Sequence, residues 1–284
     1  VDALFMATSA VCITGLSTVD VSVAFSSFGQ SVLLILIQLG GLGIMTFTGF
    51  FGYFFSGGFS YKNQLMYSEF LGHNKVASVI QTLLRVIVVT LLLEAFGAVL
   101  IFFNTSAADF SSGSERVFFA LFHAVSAFCN AGFSNVEDGL HHQAFRFNYP
   151  VQAVVACLFV FGGLGFGVVF NIFAFIKRWV VSFFQRMWLG KPYVYRAWVI
   201  NFNTRLVIWT TVVLLVIATV ITYLLEADSA LQEHPTQTGK WIAAFFMGSS
   251  ARTAGFSVVE MGRLSFPMIM LATLLMWIGA SPGS

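Results

Sequence analysis

One phrase occurs three times in this 284-residue chain, at intervals of roughly 120 residues, and a repeat of that period decides the architecture before any local preference does. The copies are FMATSAVCITGLSTVD (Phe5 to Asp20), FHAVSAFCNAGFSNVE (Phe122 to Glu137) and FFMGSSARTAGFSVVE (Phe245 to Glu260). Aligned on Gly15, Gly132 and Gly255, they also match at Phe5/Phe122/Phe245, Ser9/Ser126/Ser249, Ser17/Ser134/Ser257 and Val19/Val136/Val259, and end on the acids Asp20/Glu137/Glu260.

What surrounds the phrase is apolar. With 58% hydrophobic residues, 9% charged and 34 Phe, the chain carries more apolar surface than one water-soluble core hides. Stretches of about 20 residues or more run from Ser31 to Phe55, Ala77 to Phe103, Val151 to Ile176 and Val199 to Leu225, each long enough to cross a bilayer as a helix. A shorter run extends from Phe266 to Ala280. Lys177, Arg178, Arg186, Lys191, Arg196 and Arg205 follow one another with no acid among them, which assigns that connection to the cytoplasm. Lys62 and Lys75 then also lie inside, while the segments bearing Asp109, Glu137 and Asp138, and Glu226 to Glu233 lie outside. A net charge of +2, with no basic tract interleaved with aromatics, gives no reason to expect nucleic acid. Cys12, Cys129 and Cys157 stand in apolar surroundings without metal-ligand spacing and read as packing residues.

Glu115 to Phe128 is apolar and periodic but too short to cross, as is Lys240 to Ser250. Each leads straight into its glycine. The predicted fold is therefore all-α and integral to the membrane, built from units of span, re-entrant half-helix, Gly loop and returning span. Repeat one covers 1–60 and lacks its first span, repeat two covers 61–185 and repeat three covers 186–284. Irregular backbone at membrane depth persists only where protein buries it or where it lines a water-filled cavity. Three equivalent loops entered by short helices satisfy that condition by converging on one axis, as a pore.

A narrow pore replaces the water shell of a monovalent cation with backbone carbonyls, and successive oxygens can face one way only if some residues take positive φ. The candidate coordinating residues are Ile13, Thr14 and Gly15; Asn130, Ala131 and Gly132; and Thr253, Ala254 and Gly255. Half-helices ending at these loops would turn the negative ends of their dipoles toward the cation. A lone Gly followed by a small polar residue is an ordinary turn signal. Three copies with matched flanks are not.

These phrases, together with the ending WIGASPGS, resemble the ion-translocating subunits of the Trk/Ktr/HKT potassium transporters, and most closely the bacterial Ktr type. The resemblance covers essentially the whole chain. It implies four such repeats around one potassium-channel-like, pseudo-four-fold pore, of which this sequence carries three filter loops and lacks the fourth. It makes Gly15, Gly132 and Gly255 the filter glycines, and Gly rather than Ser at position 15 favours potassium. Gly279, Ala280, Ser281, Pro282, Gly283 and Ser284 resemble the start of an intramembrane gating loop. The implied function is potassium uptake down the electrochemical gradient, stimulated by sodium, with K+ as permeant ion, no organic cofactor and no enzymatic activity. Implied surroundings are the inner membrane of a bacterium, a homodimer, and a cytoplasmic RCK-type nucleotide-binding regulatory subunit. A sodium- or mixed-cation-conducting member of the same family is the alternative; a secondary solute transporter would call for inverted repeats, whereas these copies run in the same orientation.

Other residues carry two readings each. Glu94, midway along Ala77 to Phe103, is either a coupling-ion or proton site or a carboxylate paired within or between helices or held near the outer interface; Arg85 on the same span reads as a snorkelling anchor. His123 either titrates beside the loop or serves packing or a local hydrogen bond. Arg252, in the slot of Cys12 and Cys129, either raises a barrier to cations or braces the loop. His141 and His142 are adjacent but lack a spaced third ligand. Gly40, Gly41 and Gly43, with their counterparts Gly162, Gly163, Gly165 and Gly167, serve close helix packing or a hinge.

Overall fold

The computed structural model describes residues 1–43, 79–165, 168, 169, 171 and 202–279. Among these there are nine α-helices, four short 3-10 turns and no strand. Repeat one contributes α1 (Asp2–Cys12), the short α2 (Val21–Ala24) and α3 (Ser27–Gly41); repeat two contributes α4 (Val79–Asn104), α5 (Gly113–Phe128) and α6 (Tyr149–Gly163); repeat three contributes α7 (Phe202–Glu226), α8 (Gln237–Ser250) and α9 (Phe266–Ile278). The basic connection from Lys177 to Arg196, together with Lys62, Lys75 and the Arg85 side chain, lies outside the described residues.

The helix starts are written in polar side chains. Ser26, Ser112, Thr236 and Ser265 each accept a hydrogen bond from the backbone N–H three residues on, at 3.1–3.4 Å, and Asn148 does the same for Val151 at 3.3 Å. Pro150 and Pro267 occupy the first turns of α6 and α9, where no N–H partner is lost. Glu115 in the first turn of α5 accepts from the Ser111 N–H at 2.9 Å. Arg116 then ties α5 to the preceding helix: its guanidinium donates to the Phe102 and Thr105 carbonyls that end α4, at 2.5 Å each, and lies 4.1 Å from the centre of the Phe102 ring.

Within repeats two and three the long first helix packs against the short helix that follows it, α4 on α5 and α7 on α8. Between repeats, the returning helix of one unit packs against the short helix of the next: α3 against α5, and α6 against α8. The short helices are therefore the buried centre. Phe119, Phe122, Ala124 and Ala127 of α5 and Ala243, Ala244 and Phe246 of α8 are at most 2% exposed. Phe119 stacks on Phe145 at 4.5 Å, and Phe159 of α6 meets Phe246 edge-on at 5.4 Å.

The long helices show the opposite pattern. Val86–Asn104 and Thr204–Glu226 are long and apolar enough to cross a membrane, and their outer faces expose Phe96, Phe103, Trp209 and Leu224. Such continuous apolar faces require an apolar surrounding. At the polar end of α7, Glu226 is buried and its carboxylate accepts from the Ser265 N–H and hydroxyl and from Ser229, fastening α7 to the start of α9.

In repeats one and two the returning helices depart from the sequence expectation of unbroken spans. α3 stops at Gly41 and α6 at Gly163, and positive φ follows at Gly43 (80°) and Gly165 (83°). In repeat three α9 stops at Ile278 before Gly279 (61°). The physical cause is shared: Gly adopts the left-handed conformation that ends a helix at little cost. Gly40, Gly41 and Gly162 also serve close packing, since a Cβ there would run into Val11 O, Cys129 Sγ and Phe128 O. Gly167 lies outside the described residues.

Candidate functional site: three converging glycine loops

Each loop begins where a short helix ends. In repeats one and two the termination is the same. Ile13 (φ 53°) and Asn130 (φ 57°) are left-handed; their N–H groups donate to Ala10 O and Ala127 O, and those of Thr14 and Ala131 donate to Ser9 O and Ser126 O at 3.0 and 2.8 Å. This is the paired Schellman pattern, usually built on Gly. A β-branched Ile at positive φ is strained and needs its surroundings to hold it there. After one residue of negative φ, Gly15 (71°) and Gly132 (72°) return to positive φ. Alternation of this kind lets neighbouring carbonyls face one side of the strand.

Repeat three closes differently. Turns continue from α8 through Ala254, with the N–H groups of Thr253, Ala254 and Gly255 all directed at Ser250 O, and only Gly255 (75°) has positive φ. The side chains show the same offset. Ser9 Oγ donates to Leu16 O and Ser126 Oγ to Phe133 O, both at 2.7 Å, each clamping the carbonyl just past the glycine. The counterpart is Ser250, donating to Phe256 O at 2.5 Å, whereas Ser249 bonds back into its own helix at Phe245 O and Phe246 O. The alignment of Ser249 with Ser9 and Ser126 is thus one residue off in function. The doublet at 249–250 was the only sequence sign of it.

The shift yields a clean test. Ser250→Ala leaves a buried carbonyl without its clamp, a loss of about 1–3 kcal/mol, whereas Ser249→Ala removes only a bond within one helix. The expected readout is a melting temperature lowered by on the order of 5 °C for Ser250→Ala, and a smaller change for Ser249→Ala.

The three loops meet in order. A Cβ on Gly15 would stand 2.7 Å from Ala131 O, and one on Gly132 would collide with Ala254 O. Each of these glycines therefore faces the carbonyl that precedes the glycine of the next loop. Asn130 locks the arrangement from behind: with its amide oriented to match donors to acceptors, Nδ2 donates to Phe159 O (2.9 Å) and Thr253 Oγ1 (3.2 Å), and Oδ1 accepts from the Gly163 N–H (3.2 Å). The side chain serves the scaffold, and the backbone is left to the centre.

His123 is fully buried. Nδ1 donates to Phe119 O at 3.0 Å, so Nε2 accepts from the Ser134 hydroxyl at 2.9 Å, holding a neutral tautomer that ties α5 to the loop exit. The local hydrogen bond is the reading that holds. Arg252 braces, though not the loop's own carbonyls: its Nε donates to Gly279 O at 2.6 Å, at the end of α9. Ala280 to Ser284, the rest of the candidate gating segment, lie outside the described residues. His141 approaches Glu233 at 3.8 Å within an outer cluster formed by Arg146, Arg263 and Glu260, while His142 caps a turn through the Ala144 N–H. Of the cysteines, Cys129 is buried as expected; Cys12 and Cys157 are exposed. They lie where apolar surface faces outward, which an apolar sequence context does not distinguish from a core.

Comparison with known proteins extends over all of this. The family model for TrkH, described as a cation transport protein, matches residues 1–284. The chain is 34% identical to the Ktr system potassium uptake protein B of Vibrio alginolyticus, over its full length and 58% of that protein, and 32% identical to the Bacillus subtilis protein of the same name, covering 59% of it. It is 29% identical to the potassium/sodium uptake protein NtpJ of Enterococcus hirae, covering 58%. The crystal structure of the potassium transporter TrkH from Vibrio parahaemolyticus has the same fold: TM-score 0.66 at 18% identity, over all of this chain and 50% of that one. The chain thus spans well under two thirds of the length of these relatives. Threefold repetition, converging glycine loops and a whole-length family match agree, and the chain belongs to the TrkH family of cation transport proteins.

Proposed function

We propose that the three glycine loops are three quarters of a potassium-selective filter, and that repeats 1–60, 61–185 and 186–284 form most of a passive potassium uptake pathway. The supporting observation is the convergence: Gly15 set against Ala131 O, Gly132 set against Ala254 O, and positive φ at all three glycines. Carbonyls at Ile13, Thr14 and Gly15, at Asn130, Ala131 and Gly132, and at Thr253, Ala254 and Gly255 then replace the water shell of K+. α1, α5 and α8 end at these loops and turn the negative ends of their dipoles toward the ion. The driving force is the membrane potential, worth about 2.3 kcal/mol per charge per 100 mV.

On this reading the full-length protein acts in the bacterial inner membrane as a homodimer, bound on the cytoplasmic side to an RCK-type nucleotide-binding subunit, with sodium as stimulating ion. Gly279 to Ser284 begin the gating loop. The Enterococcus relative, named for both potassium and sodium, supports a second reading in which both ions permeate. Rubidium flux into vesicles carrying the full-length protein separates the two. Uptake competed by K+ but not by equimolar Na+ is expected; equal competition by the two ions supports the mixed-cation reading, and flux that depends on an organic solute overturns both.

A further inference from the structure

Position 252 carries a charge that the other two copies of the phrase lack: Cys12 and Cys129 stand where repeat three has Arg252. The guanidinium uses one of its five N–H groups on Gly279 O, through Nε at 2.6 Å. Among the described residues no carboxylate pairs with it, and of the chain's 12 acids only Glu69 lies outside them. Arg252 follows α8, among helices whose apolar outer faces call for a bilayer, and a positive charge in that setting needs a partner.

Beside it is a cavity. Val160 of α6, Thr211 and Leu215 of α7, and Ser249, Arg252 and Thr253 line a space of about 10 Å³, room for one guest the size of a water molecule or a single ion. Its walls offer hydrogen-bond donors and no acid. Thr211 is 7% exposed, and its hydroxyl takes part in no hydrogen bond among the described residues. Thr253 Oγ1 accepts from Asn130 Nδ2, which leaves its own hydrogen free to donate. Ser249 is the exception, its hydrogen being committed to carbonyls of α8. Val160 and Leu215 add apolar surface, beside which a charge is poorly screened.

We propose that this cavity binds one halide ion, chloride in the cell, between the Arg252 guanidinium and the hydroxyls of Thr211 and Thr253. A water molecule would fill the space and leave the charge unpaired, whereas one monovalent anion fills it and balances the charge. The volume rejects sulfate, phosphate and carboxylates, each of which brings several heavy atoms. A cation is refused because the lining has no negative group. The consequence for the neighbouring loop rests on the filter reading. Thr253 is a proposed carbonyl ligand of K+, so a bare guanidinium on the adjacent residue would oppose the ion, and a halide beside that guanidinium offsets its field. Repeats one and two, with a cysteine at the same position, have no such charge to balance.

The test is equilibrium binding of radioactive chloride to the purified full-length protein in potassium gluconate. One ion per chain is expected for the wild type, displaced by bromide and not by equimolar sulfate. Arg252→Gln should weaken binding roughly tenfold or more, since it removes one partner of a buried ion pair. Thr211→Val keeps the shape, removes the hydroxyl and should weaken binding several-fold. A wild type that binds no chloride overturns the site, as does displacement by sulfate equal to that by bromide. Undiminished binding in Thr211→Val puts the ion elsewhere and rejects the proposal, even where Arg252→Gln does not elute as a monodisperse species. Rubidium uptake into vesicles is the second readout: replacing chloride by gluconate on both faces should slow it several-fold in the wild type, and bromide should restore it. Unchanged uptake rejects the role at the loop. A failed binding measurement leaves the filter reading standing, because that reading fails on the competition between K+ and Na+ and not on this measurement.

Discussion

Gly132→Ser is expected to reduce potassium-over-sodium preference at least tenfold, about 1.4 kcal/mol of discrimination, with a large loss of total uptake. Two costs combine at this position. A side chain at φ 72° carries left-handed strain of about 1–2 kcal/mol, and its Cβ collides with Ala254 O, which cannot move aside as a flexible side chain would. The strain is relieved by turning the peptide, and that rotates the carbonyls proposed to face the ion. Gly15→Ser should act in the same direction, its Cβ standing 2.7 Å from Ala131 O. Competition of rubidium uptake by K+ and Na+ gives the preference directly. A Gly132→Ser protein with unchanged preference sinks the filter assignment.

The second large effect concerns stability. Gly162→Ala should leave little folded protein, because the added methyl group would overlap Phe128 O and press on the Asn130 side-chain amide at 2.9 Å. Overpacking usually costs about 1–3 kcal/mol when side chains can yield; here the obstacle is backbone at the end of α5, and the expected loss lies above that range. Gly113→Ala is the control. Nothing lies within 4 Å of a Cβ there, and the change should be neutral or mildly stabilising. Yield of monodisperse protein and its melting temperature distinguish the two. Comparable yields for both variants would mean that α6 does not pack on the loop as described.

Much of this architecture was legible because membrane-length apolar runs and a triple repeat are coarse signals that survive local variation. The short helices were recognisable but their starts were placed late, at Glu115 and Lys240 rather than Gly113 and Gln237, because the caps Ser112 and Thr236 are followed by polar first turns that hydropathy does not count. The glycines were recognisable as loop positions, but not the partner of each, because that Gly132 faces Ala254 O depends on how two repeats dock. Asn130 and Thr253 were read as carbonyl donors alone; the hydrogen bond between their side chains joins residues more than a hundred positions apart. The glycines around Gly163 were read as either close packing or a hinge, and hydropathy, which does not register φ, could not say that α6 ends there. Glu94 was visible as an isolated acid, while its contact with Gln38 of α3 depends on how two repeats dock and could not be read from either alone.

The one-residue offset at Ser250 bears on whether the three copies are interchangeable. The three copies do not share one register at their most constrained turn, since the third delivers its glycine without the left-handed residue at Ile13 or Asn130. Its loop is therefore not an interchangeable part. A graft of the second phrase into the third position would carry a correct glycine and an incorrect approach to it, so each copy is now matched to its own neighbours more closely than to its siblings.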